Sequence, residues 1–435
     1  MRSDTATSIA AQAEIDLDSP TGSAIDVARL YRLWEANNWS AYAVDFTQDA
    51  LDWRERFTPV QRKAARWNYA LFLHGEEAVA RTLAPFVAAV PTQEQRVFIT
   101  TQMVDEARHH VFFTRFFQEV IHDGHDLAST LDAARPELTW GFRQLFGELD
   151  RITDRLRRRP NDRVLLAQSI ATYHLVVEGA LAHPGQHFIR TYLERMGMLP
   201  GLAAGLVHVA RDESRHMAFG VQVLSELCAA SRATRNAVIY QLNKILPWSL
   251  SLFVSPELGD DAVRVFGFEL EDIYIFGLRS LNAKLERAGI NPREVAALVK
   301  VGGDGTPENQ ARRSLTLLRA GVFGNMTEPN VNDEILAMLF DGLQQVVNLR
   351  SSRRVPVIQW DFTDAEPWYL EPTPEGARTR QGRAANPALT LRCAANDWAA
   401  IAGERLDPMR ALFTRRLSIS GDPWLALRLS SILGG

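Results

Sequence analysis

Apolar residues recur every three to four positions through the greater part of the chain, the pattern of helices that each bury one face. A short helix is predicted from Val27 to Asn38, and Asp45 to Phe57 connects it to the first long one. Thr58 stands as N-cap with Pro59 at the first helical position, so a helix begins there and is expected to run to about Val90. Pro91-Thr92-Gln93-Glu94 opens a second, extending to about Ile121 through Phe98, Ile99, Met103, Phe112, Phe113, Phe116, Phe117 and Val120. Leu138 to Arg158, Asp162 to Met196, Leu202 to Ala230 after the Pro200-Gly201 break, Asn236 to Val254 and Gly259 to Ala288 continue the helical series. Asn291 to Lys300 and Ser314 to Gly321 are smaller helical pieces.

Beyond about Thr327 the period changes. After a helix from Glu334 to Leu349, the stretch from Val355 to Phe362 alternates as a strand does, Trp368 to Glu371 is a second strand and Ala388 to Cys393 a third. Turns at Glu366-Pro367, Pro372 to Gly376 and Asn386-Pro387 predict an antiparallel sheet. The organisation expected is a disordered leader over 1–24, an all-α helical bundle over 25–328 and a separate α+β domain over 334–435.

Composition narrows this picture. At 435 residues and 46% hydrophobic, the chain has enough apolar material for a large domain and a small one. A net charge of −4 gives no basic footprint, so nucleic acid is not an expected partner. Cys228 and Cys393 are too few for a disulfide framework or a thiolate metal site, which favours a reducing, cytoplasmic setting. The first residues lack the basic-then-apolar order of a signal peptide. No apolar stretch is read as reaching the ~20 residues of a membrane span, so stable membrane insertion is not expected.

The chemistry is carried by a phrase used twice. Val104-Asp105-Glu106-Ala107-Arg108-His109 and Asp212-Glu213-Ser214-Arg215-His216 each place a carboxylate and an imidazole three residues apart, on one face of a helix. Each copy follows a helix with an inward-looking acid, Glu76 and Glu178. Two Glu helices and two Glu-x-x-His helices make a di-metal carboxylate site. A third match, Glu119-x-x-His122, runs into His122-Asp123-Gly124-His125-Asp126, which has no apolar face and reads as solvated surface. The oxygen-rich set suits iron or manganese better than structural zinc. Asp105 and Asp212 are either acceptors for imidazole N–H groups or members of helix-surface ion pairs. Trp34, Trp39, Trp53 and Trp67 are read as cover for the end of the bundle, and Phe113 as core lining the wall beside the metals.

This arrangement resembles the ferritin-like superfamily, and within it the ribonucleotide reductase small subunit and its relatives, over about residues 30 to 290. It is most similar to the ligand-binding oxidases of that group. The resemblance implies metal ligands at Glu76, Glu106, His109, Glu178, Glu213 and His216, and a cofactor of two metal ions, Mn/Fe or Fe/Fe. It also implies an ether link between Val79 and Tyr173. Val79 lies one turn from Glu76, but Tyr173 is about 140° around a regular helix from Glu178, so a bulge is required there and periodicity alone reads Tyr173 as core. Phe113 occupies the position of the radical Tyr of true reductase subunits, and Val209 that of an additional His in arylamine N-oxygenases. His174, one turn before Glu178, is a candidate hydrogen-bonding group near the metals.

The segments Asn386 to Leu391, Asp397 to Glu404, Asp407 to Phe413 and Leu417 to Leu429 resemble, in order, sterol carrier protein type two domains. Together the resemblances imply an O2-dependent oxidase or oxygenase, an oxidoreductase acting on a lipophilic, fatty-acyl-like substrate. A tailoring oxygenase of a natural-product pathway and a non-catalytic metal-containing lipid-binding protein are the alternatives. Partners expected are O2, a hydrophobic small molecule or fatty acid and, at most, a second copy in a homodimer.

Overall fold

The computed structural model describes Ile15, Leu17 and residues 25–324, 327–350 and 355–427. The expected leader lies outside the described residues except at Ile15, whose backbone N–H donates to Ser214 Oγ at 3.3 Å, and Leu17, which is buried. Two compact units are present, one of residues 1–245 and 252–291 and the other of residues 246–251 and 292–435.

The first unit is helical. Its labelled helices are α1 (Val27–Ala36), α2 (Thr47–Glu55), α3 (Pro59–Thr82), α4 (Gln93–Phe116), α5 (Trp140–Arg158), α6 (Arg163–Ile170), α7 (His183–Met196), α8 (Pro200–Ala230), α9 (Arg232–Ser249, of which residues 246–249 are assigned to the other unit) and α10 (Leu270–Arg287). Thr58 and Gln61 form a capping box at the start of α3, and Thr92 and Gln95 do the same for α4, so the predicted starts rest on satisfied N–H groups. α3 ends at Thr82, short of the expected Val90, and a short helix Ala84–Ala89 succeeds it.

α6 does not pass into α7 as a regular helix. Ala171–Ala182 between them is π-helical, with i→i+5 bonding. The whole of Arg163–Met196 is long and apolar enough to cross a membrane by length and composition, which corrects the expectation that no stretch reaches that length. Its apolar window is 89% buried inside the protein, as befits a core helix.

In the second unit, α11 (Pro307–Arg319) and α12 (Asp333–Arg350) precede a five-stranded sheet, β1 (Ile358–Phe362), β2 (Trp368–Thr373), β3 (Gly376–Gln381), β4 (Leu389–Cys393) and β5 (Leu417–Gly421), in the order β3-β2-β1-β4-β5. The sheet is mixed, which corrects the antiparallel expectation. β1 and β4 run parallel, with Trp360 opposite Leu391, while the other pairs are antiparallel. The β2–β3 hairpin occupies one side of β1, so the chain crosses over to add β4 on the other. Phe340 of α12 stacks on Trp368 at 4.6 Å and meets Trp360 edge-on at 5.2 Å, building the core between helix and sheet.

The units divide at Asn291, earlier than the change of character at Thr327. The segment between these two positions is tied to the C-terminal elements. Arg313 pairs with Asp341 at 2.9 Å, Arg405 donates to Thr327 O at 2.7 Å, and a side chain at Gly342 would collide with Lys300 O.

Candidate metal centre

Four elements bring the six predicted residues to one place. α3 contributes Glu76, α4 Glu106 and His109, the π-helical segment Glu178, and α8 Glu213 and His216, all buried. Their side chains form two overlapping quartets able to hold a metal ion, Glu76–Glu106–His109–Glu213 and Glu106–Glu178–Glu213–His216, each with ligand atoms within 4.8 Å of one another. Glu106 and Glu213 belong to both, as bridging carboxylates would. His216 Nδ1 lies 3.1 Å from Glu106 Oε1 and 3.5 Å from oxygens of Glu178 and Glu213, and His109 Nδ1 lies 3.5 Å from Glu76 Oε2. Ligands of one cation with bonds of about 2.1 Å stand roughly 3 Å apart.

The fit to cations rests on what these atoms lack. His109 Nδ1, His216 Nδ1, Glu178 Oε2 and Glu213 Oε2 are buried without hydrogen-bond partners among the described residues. Orphans of that kind are costly unless something positive meets them. The imidazoles face the quartets with Nδ1 because Nε2 is occupied. His109 Nε2 donates to Asp212 Oδ2 and His216 Nε2 to Asp105 Oδ2, both at 3.2 Å. The supports are crossed, since each imidazole is held by the Asp of the other Glu-x-x-His helix.

Both roles that the sequence allows Asp105 and Asp212 therefore apply together, in the interior instead of on the surface. Arg215, 2% exposed, donates to Asp212 and to Asp105, and Arg108 donates to Asp105 at 3.0 Å. Trp34 Nε1 donates to Asp105 Oδ1 at 2.9 Å and Trp39 Nε1 to Asp212 Oδ2 at 2.7 Å. This corrects the reading of these two tryptophans as mere cover, while Trp53 and Trp67 are indeed buried in the packing. Their partners lie far away in sequence, and no local spacing announces them.

Burial pushes the carboxyls of Glu76, Glu178 and Glu213 up from the ordinary range. Burial also opposes ionisation of Glu106, but the neighbouring imidazoles of His109 and His216 outweigh it and hold that carboxyl well below the usual value. Burial alone would lower the two imidazoles. The charge of Glu76 and the bond to Asp212 raise His109 instead, and the bond to Asp105 and the nearby carboxylates raise His216.

Tyr173 joins the site through the π-helical segment. In i→i+5 winding, residues five apart sit about one turn apart, so Tyr173 and Glu178 share a face that a regular helix would deny them. Tyr173 Oη donates to Glu106 Oε1 at 2.7 Å. Burial and the neighbouring carboxylates raise its phenol well above the ordinary value, so it keeps its proton. Gln102, which the sequence reading missed, donates to Tyr173 Oη at 3.1 Å and to Glu178 Oε1 at 2.9 Å. Its place one turn before Glu106, on the same inward face, was the available signal. His174 bonds Gln102 Oε1 at 3.2 Å, and burial lowers its imidazole to about 3, leaving it neutral.

Val79, Tyr173 and the carboxylates of Glu76, Glu106, Glu178 and Glu213 line one cavity of about 630 Å³, its opening to solvent included. Its remaining wall is almost wholly apolar. Phe113 is fully buried and stacks on Phe72, which lies on that wall. Glu119 is exposed and paired with Arg115, and His122 caps the helix end in a left-handed conformation, so the third Glu-x-x-His match is surface.

Residues 24–246 match the family model described as ribonucleotide reductase, small chain. The chain belongs to the ribonucleotide reductase small-chain family. Among solved structures, this family member is similar to variants of an R2-like ligand-binding oxidase with a reconstituted Mn/Fe cofactor. A Tyr-to-Phe variant, anaerobically reconstituted, shares 24% identity with a TM-score of 0.52 over 60% of this chain and 93% of that one. An aerobically reconstituted Val-to-Ile variant gives 24% and 0.54 over 60% and 94%. A Gly-to-Leu variant gives 23% and 0.53 over 66% and 98%. Likeness at this identity shows a shared fold. Residues 350–434 match the SCP-2 sterol transfer family, so this small-chain member carries a second, lipid-carrier-like domain.

The crossed supports make a specific prediction. Asp105→Asn removes the charge that fixes His216, so chelator competition should show the metal at the His216 quartet weakened about 10- to 100-fold, with the His109 quartet much less affected. Equal weakening of both, or of the His109 quartet alone, would contradict the crossing.

Proposed function

We propose that the protein is an O2-dependent di-metal oxidase or oxygenase acting on a lipophilic, fatty-acyl-like substrate. The observation that carries this reading is the pair of metal-competent quartets sharing Glu106 and Glu213 at the wall of an apolar cavity. The donor set and the likeness to Mn/Fe oxidases support iron with iron or manganese with iron. The SCP-2 match supports a hydrophobic ligand.

Bound at the quartets, the metal pair would supply electrons to O2 and open coordination positions beside the cavity. The chain's own groups do the rest. Asp105 and Asp212 fix the tautomers that leave Nδ1 free, Glu106 and Glu213 span both quartets, and Tyr173 holds a proton against Glu106. The apolar wall excludes water and admits an alkyl chain. The test is O2 uptake by reduced, metal-loaded protein given palmitate and an excess of a chemical reductant, measured against the same mixture without palmitate. Uptake beyond one oxidation of the centre, with a change in the mass of the acid, is expected. Uptake that stops after one oxidation in every condition favours the non-catalytic lipid-binding reading.

Val79 and Tyr173 are proposed to become joined. A carbon of Val79 and the phenol oxygen of Tyr173 lose one hydrogen each, with O2 as the electron acceptor. Peptide mapping should find the two peptides fused and lighter by two hydrogens only after exposure to metal and O2. Tyr173→Phe should abolish the link while retaining metal. Separate peptides from fully oxidised protein would rule the link out.

A further inference from the structure

The cavity at the metal centre continues past it. A second apolar cavity lies between α3, α7 and the segment before α10, with Phe188, Phe266 and Phe268 on its wall. Asn68, Gly185 and Phe253 line both cavities, so they mark where the two meet. On α3, Asn68, Leu71, Phe72, Gly75, Glu76 and Val79 form a single stripe along the first cavity, at the three- and four-residue spacing of one helix face.

Asn68 is anomalous in this stripe. Its side-chain Oδ1 is buried and has no hydrogen-bond partner among the described residues. An ordinary apolar tunnel has no use for an amide, and leaving one unmet in an apolar wall costs free energy. Such a group is economical only when the occupant answers it. Eight residues separate Asn68 from Glu76, about 12 Å along the helix. An extended chain advances about 1.2 Å per bond, so Asn68 stands roughly ten bonds from a ligand's metal-facing end, with apolar space continuing beyond.

We infer that Asn68 is a specificity-determining residue that selects a long-chain acyl ligand bearing a hydroxyl about ten bonds from its head. A hydroxyl both donates and accepts, so it satisfies this amide in either orientation of its O and N. Carbon chain on both sides of the hydroxyl fills the two cavities. The inference rests on the proposed lipophilic substrate and adds to it a polar group at a stated position.

The test is binding of 10-hydroxystearate and stearate to metal-loaded, full-length protein and to Asn68→Leu, by isothermal titration. Wild type is expected to prefer the hydroxy acid about tenfold, and Asn68→Leu to lose that preference or reverse it. The C-terminal domain is identical in both proteins, so the difference between them reads the cavity alone. Should the Leu variant fold poorly, Asn68→Ala takes its place, with the same loss expected. Binding of both acids without preference by wild type, or a preference that survives in the variants, overturns the role of Asn68 and leaves the proposed substrate class intact. Binding of neither acid overturns both.

Discussion

Glu106→Ala is expected to take the protein from two bound metal ions to less than about one per chain after aerobic reconstitution. Glu106 belongs to both quartets, so its loss removes a ligand from each at once. It also removes the acceptor for the Tyr173 hydroxyl and a charge beside both imidazoles. Glu76→Ala removes a ligand from one quartet only and should leave close to one ion. Elemental analysis distinguishes the variants, and equal metal content in them would refute the shared role of Glu106. The five-stranded sheet has its own core in the other compact unit. Hydrogen exchange in β1 to β5 should therefore be unchanged in Glu106→Ala.

The second large effect is on stability without metal. Glu76, Glu178, Glu213, His109 and His216 all have raised values in the fold. A group raised by folding contributes stability below its unfolded value and loses it as pH climbs through the folded one. That loss begins above about pH 4.5 for the glutamates and about pH 6.5 for the histidines. Glu106 and Asp212, held low, act in the opposite sense, but their contribution is complete above about pH 5 and then stays constant. Metal-free protein should therefore lose several degrees of Tm between pH 6 and pH 9, at roughly 2 °C per kcal/mol in a domain of this size. Bound cations replace the protons and should flatten the dependence while raising Tm throughout. Calorimetry on both forms checks this, and parallel slopes would refute it.

The ligands were legible because a Glu-x-x-His pair on a regular helix declares its shared face through spacing alone. Tyr173 was not, since its place depends on the π-helical winding of Ala171–Ala182, and a mostly apolar segment carries no spacing that distinguishes this winding from a regular helix. Nor were Trp34 and Trp39, whose acceptors are 71 and 173 positions away. The capping boxes at Thr58 and Thr92 marked the helix starts, because capping is local chemistry. The parallel pairing of β1 with β4 escaped for the opposite reason. Turn residues report the hairpin they close, as at β2–β3, and carry nothing about which strand a later segment will join.

The crossed Asp–His contacts also bear on how such a bundle could have begun. Asp105 serves His216 and Asp212 serves His109, a reciprocity in which each half holds what the other offers. That relation is the mark of a two-fold axis between identical partners. One helix pair alone would present an acid with no imidazole to hold and an imidazole with no acid behind it. Two copies of a single ancestral pair, related by such an axis, would complete both metal positions at once. Fusion of the two genes into one chain would then have freed each copy to diverge, as the π-helical turn beside Glu178 and the regular α3 beside Glu76 now do.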